Sequence, residues 1–248
     1  MEKYSHKREF SVKYSDVDYK DELSASALLS FVQEVACSSA DELGFGYEDL
    51  KPHDYGFLVV GTYCRLLRPV CLNEIIAVET WPLPPRHVIF ERDYAVYDEK
   101  GNACATLASR WCLVHLQSMK LLTATALEGH ATCPYRNEKA VEVPSWKISP
   151  IGDEGKEVYS LTVRASLCDH YLHANNAKYA DLFFDCFTMQ ELSARRVKSF
   201  QISYARQAKE GTKLTFYRKD CENGAVLLEA RDEIGVTTQF QVVFEEAV

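Results

Sequence analysis

An internal repeat constrains the fold of this chain more than any other feature. The segment from Phe10, FSVKYSDVDYKDELSASALLSFVQEVA, and the segment from Leu161, LTVRASLCDHYLHANNAKYADLFFDCF, superpose without a gap at an offset of 151 residues, the separation of Asp18 and Asp169. Val12 falls on Val163, Lys13 on Arg164 and Ser15 on Ser166, while Leu28, Phe31 and Val32 fall on Tyr179, Leu182 and Phe183. Few residues are identical, but the order is shared: strand, Asp, polar loop, apolar helix. Self-similarity at a fixed offset signals duplicated structural units.

Each copy continues in the same way. In the first, Ser24 is a candidate helix N-cap, Leu28, Phe31, Val32, Val35 and Ala36 recur at i, i+3, i+4 spacing, and Gly44 ends the run. In the second, Asn175 or Asn176 is the candidate cap and Tyr179, Leu182, Phe183 and Phe187 form the apolar stripe. Four β segments follow each helix, with turn signals at Lys100–Gly101–Asn102, Glu210–Gly211 and Asn223–Gly224. Helices this apolar suit enclosure by a sheet. A curved antiparallel sheet around a central helix is the hotdog architecture, so the expected fold is α+β, a double hotdog. Residues 1–123 form the N-terminal half and 159–248 the C-terminal half. Between them, 124–158 carries Pro134, Pro144 and Pro150 with charged clusters and no periodic face, and reads as a connector crossing the sheet surface.

Composition narrows the function. Formal net charge is −8, from 36 acidic and 28 basic residues, which argues against nucleic acid as the main ligand. No apolar run approaches the roughly 18 residues of a membrane span, and the N-terminus lacks an apolar signal segment. The nine cysteines are odd in number, show no CxxC and sit mostly in apolar surroundings, which reads as free thiols in a reducing cytoplasm. Neither Cys nor His shows metal-ligand spacing, and no metal or organic cofactor is implied.

The segment CDHYLHANNAKYADLFFDC resembles the second-half motif of the acyl-acyl-carrier-protein (acyl-ACP) thioesterases, D-x-N-x-H-x-N-N-x-K-Y, through Asp169, His173, Asn175, Asn176, Lys178 and Tyr179. The first half is similar to that family as well, through Asp18, DELGFGYEDL, ETWP and RDYAVYDEKGN. The resemblance implies hydrolysis of acyl-ACP thioesters, ending fatty-acid synthesis, with acyl carrier protein as partner and the chain acting as a monomer or homodimer. Two positions depart from the family. Tyr171 stands where the motif has Asn, and the segment Y-x-R-E-[C/A] reads YARQA, which puts Gln207 in the place of Glu. Gln can neither act as a base nor carry negative charge.

Thioester hydrolysis needs a donor for the carbonyl oxyanion and either a base for water or an attacking carboxylate. Backbone amides near Asn175 and Asn176, at a helix start, are candidates for the donor. Asp169 and His173 are four residues apart in the loop before that helix, so the carboxylate can orient the imidazole as base; direct attack by Asp169 through an anhydride is the alternative. Tyr171 could donate a hydrogen bond in place of the motif Asn, and Gln207 could position a water. The first half has Lys20 opposite Tyr171 and Glu22 opposite His173, so one catalytic site per chain is expected, with the first half binding substrate. Leu28, Val32 and Val35 are the expected wall of the acyl slot. His6, His53, His87, His115 and His130 read as surface or core residues. Arg195, Arg196 and Lys198 form the densest basic cluster, a candidate contact for an acidic carrier or a solvated helix end. Two other functions fit the same architecture: a non-hydrolytic acyl-thioester binder with a degenerate site at Tyr171 and Gln207, and a lyase or dehydratase of 3-hydroxyacyl thioesters.

Overall fold

A computed structural model describes residues 4–127 and 133–246; His130 lies outside the described residues. The chain divides into two compact units, Met1–Thr62 with Leu67–Val143, and Tyr63–Leu66 with Pro144–Val248. The fold is a double hotdog of the α+β class.

In the first unit, β1 (His6–Ser11) leads into α1 (Ala25–Glu42), a short α2 (Tyr47–Leu50), and the strands β2 (Tyr55–Leu66, its last four residues counted with the second unit), β3 (Ile75–Pro82), β4 (Ile89–Asp98) and β5 (Ala103–His115), with β6 (Lys120–Leu122) pairing β5. The strand order is β1-β3-β4-β5-β2, and β1, β3, β4 and β5 pair antiparallel along it. The first helix starts where the sequence places it: the Ser24 Oγ accepts from Ala27 N at 3.2 Å, and left-handed Gly44 (φ 72°) follows its end. Its inner face buries Leu28, Leu29, Val32, Val35, Ala36 and Ser39.

The second unit repeats the plan with β7 (Lys156–Thr162), α3 (Lys178–Phe184), α4 (Met189–Ser193), β8 (Arg195–Tyr204), β9 (Lys213–Asp220), β10 (Ala225–Arg231) and β11 (Val236–Glu246). Its order is β8-β11-β10-β9-β7, antiparallel throughout. Strand β7 begins at Lys156, inside the span read from sequence as connector. The single helix expected here is two. Thr188 leaves the helical conformation (φ −79°, ψ 154°) and closes a capping box with Glu191, which ends one helix and starts another. Phe187 is buried as expected, but in the turn between them. The core is aromatic: Phe183 stacks on Phe240 at 4.8 Å and meets Phe216 edge-on at 5.5 Å, and Phe200 stacks on Phe240 at 5.8 Å.

A similar grip on the connector occurs in each unit, at different places in the register. In β3–β4, Trp81 pairs with Asp93; in β9–β10, Tyr217 pairs with Glu229. Both carboxylates are buried, 1% exposed, and both grip the connector. Asp93 accepts from Ala140 N at 2.6 Å, while Trp81 Nε1 donates to Glu138 O and lies under the Arg136 guanidinium. Glu229 accepts from Ile151 N at 3.0 Å and from Arg231, whose guanidinium lies over Tyr217. Residues 136–141 and 148–152 therefore run against the sheets of their own units, where Ile148 and Ile151 pack on Leu227. The Asp93 side chain points away from α1, since its neighbour Arg92 reaches the helix at Ser39.

Candidate active site

The candidate residues lie in a tight loop between β7 and α3. Val163 N donates to Thr212 O at 2.8 Å, fixing the strand end, and a short turn at Ala165–Leu167 brings the chain to Asp169. Asp169 N then donates to His173 O (3.0 Å), Leu172 N to Asp169 O (2.9 Å), and Tyr171 N to Asp169 Oδ1 (2.9 Å). The four-residue spacing thus becomes contact between the loop's two ends. Leu172 sits at φ 63° and is 76% exposed.

The first copy builds the same loop. Asp18 N donates to Glu22 O, Asp21 N to Asp18 O, and Lys20 N to Asp18 Oδ1, with Asp21 at φ 59° where the second copy has Leu172. One carboxylate oxygen of each Asp is therefore committed to holding the turn. The side chains above it differ. Lys20 and Glu22 form an ion pair at 3.4 Å, whereas Tyr171 and His173 replace them in the second copy.

His173 Nδ1 is buried with no hydrogen-bond partner. Burial lowers the imidazole pKa from its ordinary 6.5, and the Lys209 ammonium lowers it further; the Asp169 carboxylate opposes both. Tyr171 is 37% exposed, its ring 3.9 Å from that of His170.

A second segment, at the end of β8, runs beside the loop. Ala174 N donates to Ala208 O at 2.8 Å, His173 and Lys209 form a β-bridge, and the Tyr204 hydroxyl donates to Asn176 O at 3.0 Å. Gln207 lies within this segment and is exposed, next to buried Ala208. Tyr204 and Lys209 escaped the sequence reading, although both flank Gln207 in YARQAK and signalled themselves by that position.

The helix start differs from expectation. Asn175 N is taken by Leu167 O, Ala177 N by Asn175 Oδ1 (2.9 Å) and Lys178 N by Asn175 O. The amides expected to point outward unpaired are thus mostly satisfied within the turn, and the N-cap of α3 is Ala177, one residue after Asn176 and two after Asn175. Asn176 N alone in Asn175–Lys178 keeps no partner among the described residues.

Leu28, Val32 and Val35 are 3%, 5% and 0% exposed on the inner face of α1, in the core of the first unit. Arg195, Arg196 and Lys198 lie at the start of β8, directly after the C-cap Ala194 of α4; Arg196 is paired with Glu245, and the Arg195 guanidinium lies over Phe244. His6 bonds Glu42 at 2.6 Å, and His115 lies 3.5 Å from Asp54. Among the described residues no group of three or more His, Cys, Asp or Glu could hold a metal ion, and no helix is long and apolar enough to cross a membrane.

Comparison with known proteins shows the family. Residues 3–126 match the acyl-ACP thioesterase N-terminal domain and residues 152–245 the acyl-ACP thioesterase C-terminal domain. No curated protein matches. Among solved structures, an acyl-ACP thioesterase from Bacteroides thetaiotaomicron VPI-5482 superposes with a TM-score of 0.88 at 22% identity, covering 97% of this chain and 98% of that one. The 12:0-ACP thioesterase from Umbellularia californica gives 0.85 at 18% identity, covering 98% of each chain. A putative oleoyl thioesterase from Lactobacillus plantarum gives 0.85 at 16%, covering 100% of this chain and 98% of that one.

Proposed function

The chain belongs to the acyl-ACP thioesterase family, and from that premise we propose that the loop Asp169–Asn176 is where its thioester is cleaved. The protein is a thioester hydrolase that acts on acyl-ACP and releases free fatty acid.

The observation that carries the assignment is His173 itself, placed on the loop where the first copy has Glu22, with an imidazole whose pKa is held low by burial and by Lys209. Such a ring is neutral at pH 7 and has a lone pair to offer. In the proposed reaction His173 takes a proton from water as the water oxygen bonds to the thioester carbonyl carbon. The Asn176 amide is the backbone donor left for the carbonyl oxygen. When the carbon–sulfur bond breaks, the imidazolium returns the proton to the carrier's thiolate. Asp169 holds the loop with one carboxylate oxygen, and its charge stabilises the imidazolium. That commitment makes it a better orienting group than nucleophile. Tyr171 and Gln207 take hydrogen-bonding roles toward water or substrate. The α1 face of Leu28, Val32 and Val35 is the acyl-binding surface in this reading, the catalytic loop occurs once per chain, and the chain works as a monomer or homodimer. Nine free cysteines support work in a reducing cytoplasm.

The test is thiol release from acyl-ACP of several chain lengths by the wild type and by His173→Ala. A loss of about 10²–10⁴-fold in kcat is expected for removal of a general base. Equal rates would remove His173 from the mechanism.

A further inference from the structure

The two copies share the backbone that brings the β8 end beside the loop. In the first, Leu67 N and Arg68 N donate to Cys104 O and Leu23 N donates to Val70 O; in the second, Ala205 N and Arg206 N donate to Thr237 O and Ala174 N to Ala208 O. Registered this way, Ala208 corresponds to Val70, at an offset of 138, and Tyr204 corresponds to Leu66. The fold therefore needs no hydroxyl at this position. It is present in the copy that carries His173 and absent from the copy that carries Glu22.

The hydroxyl has a defined target. In a regular α-helix Asn176 O would accept from Ala180 N, but Ala180 N donates instead to Ala177 O at 3.1 Å, a tighter three-residue turn. The freed Asn176 carbonyl accepts from Tyr204 at 3.0 Å. Burial raises the Tyr204 phenol far above its ordinary pKa, so it remains a donor across the working pH range. The Tyr179 ring meets it edge-on at 6.1 Å. The strand end is anchored too: Arg206 holds Asp232 at 2.6 Å and Gly235 O at 2.9 Å.

We propose that Tyr204 is a positioning residue for hydrolysis: its hydroxyl fixes the Asn176 peptide, and with the Ala174–Ala208 bond it holds His173–Asn176 in working geometry from both ends. The proposal rests on the reading of Asp169–Asn176 as the site.

Tyr204→Phe keeps the ring and removes only the donor, leaving the half-buried Asn176 carbonyl without this bond. On acyl-ACP we expect kcat to fall about tenfold with KM within about twofold, since the acyl-binding surface is untouched. Asn175→Ala removes the Oδ1 bond to Ala177 N from the same turn and should give the same pattern. The double variant should fall well short of the product of the two losses, because both bonds hold one element. Wild-type kcat in Tyr204→Phe, a loss carried by KM, or fully multiplicative losses in the double variant would each overturn the proposal. Should Tyr204→Phe fold poorly, Asn175→Ala decides: wild-type kcat there overturns the role of the turn. His173→Ala separates the two ideas. Wild-type activity in that variant removes the site assignment itself, whereas its loss alongside an unaffected Tyr204→Phe removes only the role of Tyr204.

Discussion

Replacing Asp93 with Asn should reverse part of the protein's pH dependence. Asp93 is 1% exposed, and burial pushes its carboxyl up to about 7 from an ordinary 3.8, with Glu91 adding to the rise. The amides of Ala140 and Val141 and the charge of Lys139 act the other way without cancelling it. Buried Glu229 in the second unit has Arg231 at 2.7 Å, but Asp93 has no cation in contact among the described residues. Because the folded pKa exceeds the unfolded one, the native state binds this proton more tightly. Stability therefore falls as pH rises from about 4 to about 7 and stays reduced above it. At 1.36 kcal/mol per tenfold, the gap corresponds to at most about 4 kcal/mol. Asparagine has no charge to bury and keeps an oxygen that can accept from Ala140 N. Urea unfolding of the two proteins at pH 4, 6 and 8 should show Asp93→Asn gaining on wild type by about 2–4 kcal/mol between the first and the last. Parallel stability curves would refute the argument, since they would mean that the carboxyl titrates alike in both states.

Three further outcomes are expected. Lys209→Ala removes a charge that depresses the His173 pKa, so the acid limb of kcat/KM should move to higher pH; an unmoved limb would separate that limb from His173. Tyr171→Asn with Gln207→Glu restores the family residues at both departures, and thiol release should rise; an unchanged or lower rate would show that this site works with its own residues. Leu172→Asn should stabilise the fold by up to about 1 kcal/mol, because Leu strains at φ 63° while Asn tolerates the left-handed region; destabilisation in urea would show that the exposed Leu packs on something in solution.

Much of the fold was legible because it rests on local signals. Ser24 and Gly44 bracket α1 by side-chain capping and left-handed freedom, both properties of single residues. The repeat was legible because both copies must satisfy the same loop, Asp18 and Asp169 each bonding the amide two residues ahead. What escaped was competition between local choices. Phe184 to Met189 keeps an apolar pattern that suits a continuing helix, yet Thr188 and Glu191 close a capping box and restart it. Asn175 was read as a cap, but α3 is capped by Ala177 without a side-chain bond, and the Asn175 side chain instead closes a turn on the Ala177 amide. The pairing of Tyr204 with Asn176 spans 28 residues and leaves no periodic trace.

The repeat also separates what the fold requires from what the chemistry requires. An Asp at the loop start, the amide bonds it accepts, the bond from Leu23 or Ala174 to the neighbouring segment, and the double acceptor Cys104 O or Thr237 O occur in both copies. They are explained by folding alone. Among the residues that differ at equivalent places are Lys20 and Tyr171, Glu22 and His173, Leu66 and Tyr204, Pro69 and Gln207, Cys71 and Lys209. All five of the second set lie on the loop or on the segment bonded to it. Asp169 alone would therefore be weak grounds for a catalytic loop, since Asp18 does the same structural work without a histidine beside it. The case rests on the substitutions clustered around that common frame. A duplicated fold can hold one copy to its packing role while the other exchanges exposed and half-buried side chains for reactive ones, because the shared backbone bonds keep the loop in place during the exchange.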